Sequence, residues 1–125
     1  MRFRQLGEYK KVAPGELDLV TGVCADAFVV KQRDITRDWR GAIDVCEARQ
    51  LAMWFLRERG HTFKAIARAF HKKDHATAMH GVNRVKSMLA INDRRFSRRW
   101  NIADAALKGE APKGYTVLKE VEHAG

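Results

Sequence analysis

Apolar side chains recur every three or four residues through most of the chain, the spacing that gathers them on one face of a helix. Residues 1–12 are polar and basic and read as a leader. Pro14 and Gly15 then open a pattern in which Leu17, Val20, Val23 (or Cys24) and Ala27 share a face, with proline suited to the first helical turn. The stretch VVKQRDITRDWRG is short and charged, and predicts a turn or short helix followed by a basic connector ending at Gly41. From Ala42 to Arg59 the spacing predicts a long helix whose inward stripe is Val45, Ala48, Ala52, Phe55 and Leu56. Leu51 and Trp54 widen that stripe, so the helix is expected to be central. Gly60 ends it after a basic last turn.

Thr62 is a suitable N-cap for a helix from Phe63 to Phe70, with Phe63, Ile66, Ala67 and Phe70 inward. HKKD breaks that pattern, and Asp74 can cap a further helix running from His75 to Ile91 that buries Ala78, Val82, Val85 and Leu89. Asn92 and Asp93 punctuate, and DRRFSRRWNIADAALKG reads as a last amphipathic helix. Neither an internal repeat nor a defensible strand is found. The expectation is one all-α domain over 13–107, a bundle of about five or six helices, with residues 108–125 as a tail.

Charge changes the picture from a fold to a partner. The chain carries a formal +9. Residues 31–100 hold 17 Lys/Arg against seven Asp/Glu, whereas the segments on either side are balanced or slightly acidic. A charge excess confined to one segment points to a polyanion, nucleic acid before an acidic membrane surface. No run of about 18 apolar residues is present to suggest a membrane span, and no apolar core follows the basic N-terminus as in a signal peptide. Two cysteines, Cys24 and Cys46, both among apolar neighbours, predict buried free thiols in a reducing cytosol rather than a disulfide framework.

The densest cluster is KKDHATAMH, Lys72 to His80. As a metal site it fails on spacing. His71 and His75 are four apart, but the helical pattern breaks between them, and His80 follows His75 by five. As a catalytic site it lacks a nucleophile elbow, paired carboxylates and a phosphate loop, and the neighbours Asp74 and His75 are not expected to face each other. As a helix-turn-helix it fits: a helix, a four-residue turn, and a second helix whose first residues enter the major groove. Those residues are Asp74, His75, Ala76 and Thr77, and the small ones allow close approach to base edges. Lys72 and Lys73 in the turn and His80 one turn further on can meet phosphates.

EARQLAMWFLRERG…TFKAIARAFHKKDHATAMHGVNRV resembles the C-terminal DNA-binding domain of the bacterial chromosomal replication initiator DnaA. That family reads Ala/Pro-Arg-Gln-x-Ala-Met-x-Leu, then a helix ending in Ala-Phe, then Gly-Gly-Arg/Lys-Asp-His-Thr-Thr-Val-x-His-Ala; the match covers about residues 15–95. The resemblance implies a Trp-repressor-like helix-turn-helix and sequence-specific binding to duplex sites like the initiator's box. Carried over by position, it implies major-groove and adjacent backbone contacts by Asp74, His75 and Thr77. It implies backbone contacts by Lys73, His80, Arg49 and Gln50, and a minor-groove arginine in the connector, Arg37 or Arg40. Ala76 stands where the family has the first Thr of Thr-Thr, and His71-Lys72 where it has Gly-Gly. The initiator's ATPase module has no counterpart in these residues. The expectation is therefore a stand-alone relative from a phage, plasmid or other mobile element, cytoplasmic and nucleoid-associated. It would bind no nucleotide or cofactor, have no enzymatic activity, and compete with the host initiator for its boxes.

A rival from another class is an interaction or membrane-surface protein. RVKSMLAINDRRFSRRW could present Met88, Leu89, Phe96 and Trp100 to a bilayer, framed by Arg94, Arg95, Arg98 and Arg99.

Overall fold

The structure, a computed structural model, describes residues 10–37 and 41–109. Most of the leader, the connector's Arg40 and nearly all of the tail lie outside the described residues. Within them the chain is helical throughout, with no strand: α1 (Pro14–Phe28), α2 (Gln32–Ile35), α3 (Ile43–Glu58), α4 (Phe63–Ala69), α5 (His75–Ala90) and α6 (Arg94–Lys108). The expected all-α helix-turn-helix bundle is what forms.

Four of the six described helices start where the chain supplies a cap or a proline. Pro14 opens α1. The Thr62 hydroxyl accepts the Ala65 N–H at 3.1 Å, the Asp74 carboxylate that of Ala76 at 2.9 Å, and the Asp93 carboxylate that of Phe96 at 2.8 Å. These side chains satisfy N–H groups that the first helical turn cannot pair internally. The exceptions are α2 and α3, which follow Lys31 and Ala42 without a side-chain cap. After α3 the chain reverses at Gly60, whose φ of 100° lies where side chains are rarely tolerated.

α3 is the central helix. Ala48, Leu51, Ala52 and Leu56 are fully buried, and Val45, Met53 and Phe55 nearly so. α1 and α5 both pack on α3, α6 packs on α1, α4 packs on α5, and α2 bridges α1 and α3. Phe28 of α1 meets Phe96 of α6 edge-on at 6.0 Å, and Trp54 of α3 meets Trp100 of α6 at 6.1 Å. Phe28, Phe70 and Phe96 are almost wholly buried, and each such side chain contributes about 1.5–3 kcal/mol of transfer free energy.

Three expectations change in detail. The buried face of α1 is turned toward Thr21, Cys24 and Phe28, leaving Leu17 and Val23 only partly covered, because Phe28 reaches α6. Leu89, expected on the buried face of α5, is only partly buried against the core, whereas the short helix expected before the connector forms as α2 with its Ile35 completely buried. Cys24 is a buried free thiol, and burial pushes its pKa up; Cys46 forms no disulfide either but is only half-buried, because it faces an open groove rather than the core.

Candidate nucleic-acid interface

α4, the turn 70–74 and α5 form the helix-turn-helix. Phe70 is fully buried and anchors the turn, and the Lys72 N–H donates to the Ala67 carbonyl at 2.8 Å. His71 takes φ 59°, the left-handed conformation that the family's glycine would adopt without cost. Asp74 then caps α5. Ala78, Val82 and Val85 are fully buried, which fixes the helix's rotation. That rotation leaves Asp74, His75, Thr77 and His80 exposed and Ala76 half-exposed. The Asp74 side chain keeps one oxygen on the Ala76 N–H, and that oxygen lies 3.8 Å from His75 Nδ1, closer than sequence neighbours were expected to come.

α5 lies beside α3 across an open groove. Arg49, Gln50, Cys46 and Met53 of α3 line it with Lys72 from the turn and Thr77, His80 and Gly81 of α5. Five residues singled out from sequence are thus brought together: Arg49, Gln50, Lys72, Thr77 and His80. Lys73, Asp74, His75 and Ala76 follow Lys72 at the start of α5. Arg49 has a further engagement. It is only 7% exposed, its Nε donates to the Ile35 carbonyl at 2.6 Å, and its Nη2 to the Asp34 carbonyl at 3.0 Å. Arg37 is exposed, with Nε 3.6 Å from the Asp34 carboxylate. Arg40 lies outside the described residues.

Gly81 explains the closeness of the two helices. A Cβ there would fall 2.9 Å from Met53 Sδ and 3.4 Å from Gln50 Cγ. Sequence reading missed Cys46, Met53 and Gly81 as groove residues. The signal was present, since 46, 49/50 and 53 share one face of α3 at helical spacing, but apolar residues on a central helix read as core.

It also missed an ion-pair network on another face of α3. Glu47 is 3% exposed and accepts from Arg84 of α5 at 3.2 Å and from Arg95 of α6 at 3.3 Å. Asp44 accepts from Arg95 at 2.7 Å and Arg99 at 2.9 Å. The Arg99 hydrogen bond and the charges of Arg99 and Arg95 hold the Asp44 carboxyl below its usual range against a smaller desolvation. Arg84, Arg95 and Arg99 therefore spend part of their charge inside the fold. On the other side of the turn, the exposed Lys64 and Arg68 of α4 stand two turns and one turn before Lys72. Among the described residues no group of three His, Cys, Asp or Glu could hold a metal, and no helix is long and apolar enough to cross a membrane.

A capped second helix with a polar, small-residue N-terminus, seated on a basic groove, defines a DNA-binding helix-turn-helix domain. The chain belongs to the bacterial DnaA helix-turn-helix family, whose model matches residues 17–85. It is similar to the chromosomal replication initiator protein DnaA of Francisella tularensis subsp. novicida, 31% identical over 78 residues that make up 62% of this chain and 16% of the relative. It is also similar to that of Dechloromonas aromatica, 30% identical over 94 residues, 74% of this chain and 20% of the relative. The chain thus matches about a fifth or less of the length of these initiators.

Proposed function

We propose that this protein binds duplex DNA sequence-specifically at sites like the initiator's box, and so regulates replication initiation or transcription without hydrolysing ATP. The carrying observation is the start of α5: Asp74, His75 and Thr77 stand exposed at its N-terminus, above a groove lined by Gln50, Lys72 and His80. In this reading His75 donates to a purine acceptor or thymine O4. Thr77 sets its methyl against a thymine methyl, Ala76 adds a second small apolar contact, and the second Asp74 oxygen accepts from a cytosine amino group. Lys72, Lys73, Gln50 and His80 meet phosphates, Arg49 stands behind them with its guanidinium turned onto the Asp34 and Ile35 carbonyls instead of a phosphate, and an arginine of the connector, Arg37 or Arg40, enters the minor groove. The partner is double-stranded DNA, shared with a host initiator that competes for the same boxes, in the cytoplasm at the nucleoid. No nucleotide and no catalytic group enters this reading.

The membrane-surface alternative is disfavoured by the packing of α6 and of the end of α5. Phe96 and Trp100 of α6 and Met88 and Leu89 of α5 are buried in or packed against the core, so the apolar face of this stretch is already used. Selection from a random duplex pool, followed by titration of the winning duplex, a scrambled duplex and anionic vesicles at one salt concentration, tests the proposal. A preference for the selected duplex of about a thousandfold or more is expected, the low end of what specific binders show. Equal affinity for both duplexes, or tighter binding to vesicles, would overturn it.

A further inference from the structure

The charge of Arg49 is placed where a phosphate-binding arginine would not need to be. It is almost buried, and it forks onto two consecutive backbone carbonyls, Asp34 and Ile35, at the end of α2. A helix end leaves its last carbonyls unpaired, and a guanidinium, with donors at fixed spacing, can close two of them at once. Lysine, a single point of charge on a flexible stem, lacks that fork. The carboxylate of Asp34 in turn approaches Arg37, three residues on. At the other end of the same stretch, Cys46 Sγ donates weakly to the Gly41 carbonyl at 3.9 Å. Positions 46 and 49 lie one turn apart on the groove face of α3. That face therefore floors the groove and also grips both ends of the chain between Ile35 and Gly41.

We infer that Arg49 is a positioning residue that couples the connector to the reading helix, setting where Arg37 meets DNA relative to the bases read by α5. This rests on the duplex-binding reading above and adds a division of labour to it. Arg49 contributes to preference for the sequence flanking the site, through the connector, more than to phosphate neutralisation. A narrow A·T minor groove concentrates negative potential and rewards an arginine held in register, whereas a loosely held cation gains much less.

The test uses Arg49→Lys, which keeps the charge and removes the fork, beside Arg49→Ala. Each folded variant is titrated against the selected duplex with an A·T flank and with a G·C flank, across a salt series. Wild type is expected to prefer the A·T flank by about fivefold or more, the scale of one base-pair's discrimination. Arg49→Lys should bring that ratio to near unity while keeping its discrimination at positions read by His75 and Thr77, and with an unchanged salt slope. Amide hydrogen exchange over residues 33–37, measured without DNA, should quicken in the same variant. Retention of the flank preference by Arg49→Lys overturns the inference. So does a loss confined to Arg49→Ala with the slope falling by about 0.9, the mark of a plain phosphate contact. Unchanged exchange in the connector overturns it without reference to DNA. A wild type that binds no duplex selectively defeats the functional reading instead, and takes the flank claim with it.

Discussion

Gly81 sits in the interior of α5, where replacing glycine by alanine ordinarily stabilises a helix by about 1 kcal/mol. Here the opposite is expected. The added Cβ would meet Met53 Sδ at 2.9 Å, well inside carbon–sulfur contact, while the Gln50 Cα at 3.7 Å needs no adjustment. Met53 is 1% exposed, so its sulfur has little room to swing aside without leaving its rotamer or pushing the helices apart. Overpacking of this kind costs about 1–3 kcal/mol, so Gly81→Ala should be net destabilising by about 1 kcal/mol once the propensity gain is subtracted. The sharper readout is a double-mutant cycle. Met53→Ala alone should cost about 2–5 kcal/mol as a cavity. In that background the clash is gone, and Gly81→Ala should be stabilising by about 1 kcal/mol. Urea denaturation followed by circular dichroism on the four proteins gives the coupling, expected at about 2 kcal/mol from the difference between those two effects of Gly81→Ala. If the two substitutions add to within about 0.5 kcal/mol, the tight crossing of α3 and α5 is not what the glycine serves. Duplex affinity should fall with Gly81→Ala, because Gln50, Thr77 and His80 line the same groove.

His71→Gly should raise stability by about 0.5–1 kcal/mol, read from the urea midpoint, because it removes a side chain from a left-handed conformation; a loss of stability would show that the imidazole contributes more than the backbone costs. His75→Ala and Thr77→Val should each shift preference at one or two base pairs by about 1–3 kcal/mol in a single-substitution duplex panel, and uniform weakening across the panel would remove α5 as the reader. Neutralising Lys72 or Lys73 should weaken all duplexes alike and flatten the salt dependence by about 0.9 for each phosphate left unneutralised, which an unchanged slope in both variants would contradict. Asp44 is held below its unfolded pKa, so the folded state binds fewer protons: its contribution is present above the ordinary carboxylate range and is lost as pH falls through the folded value. Asp44→Asn should therefore flatten the acid side of the stability profile, and an identical profile would show the Arg95 and Arg99 pairs to be inconsequential.

Three of the helices begin on local chemistry that sequence carries, whereas the uncapped α3 was legible from its apolar spacing alone. Thr62, Asp74 and Asp93 each cap with their own side chain, a signal within three residues of sequence. The exposed face of α5 was legible for a related reason: once Ala78, Val82 and Val85 are inward, helical geometry alone turns His75 and Thr77 outward. What escaped depends on partners distant in sequence. Arg49 finds its carbonyls 14 and 15 residues away, and Glu47 finds Arg84 and Arg95 at separations of 37 and 48. No local pattern distinguishes a buried arginine that forks onto carbonyls from an exposed one awaiting phosphate. Nor did sequence show which of the middle segment's basic side chains are tied up inside the fold: Arg84, Arg95 and Arg99 pair with Asp44 and Glu47 across helices, while the net excess, which already counts those carboxylates, stands.

The left-handed histidine at the corner of the helix-turn-helix has an effect beyond its strain. For an L-residue the region around φ 59° is a small island, whereas glycine moves through a far wider territory. A turn built on His71 consequently has few shapes open to it, and α4 and α5 are hinged stiffly. Much of the conformational freedom that a flexible turn would surrender on meeting DNA has already been given up during folding. On the proposed reading, the same stiffness would penalise a mismatched duplex, which α5 could not accommodate by swivelling, so that a residue that weakens the folded state would narrow the range of sequences bound.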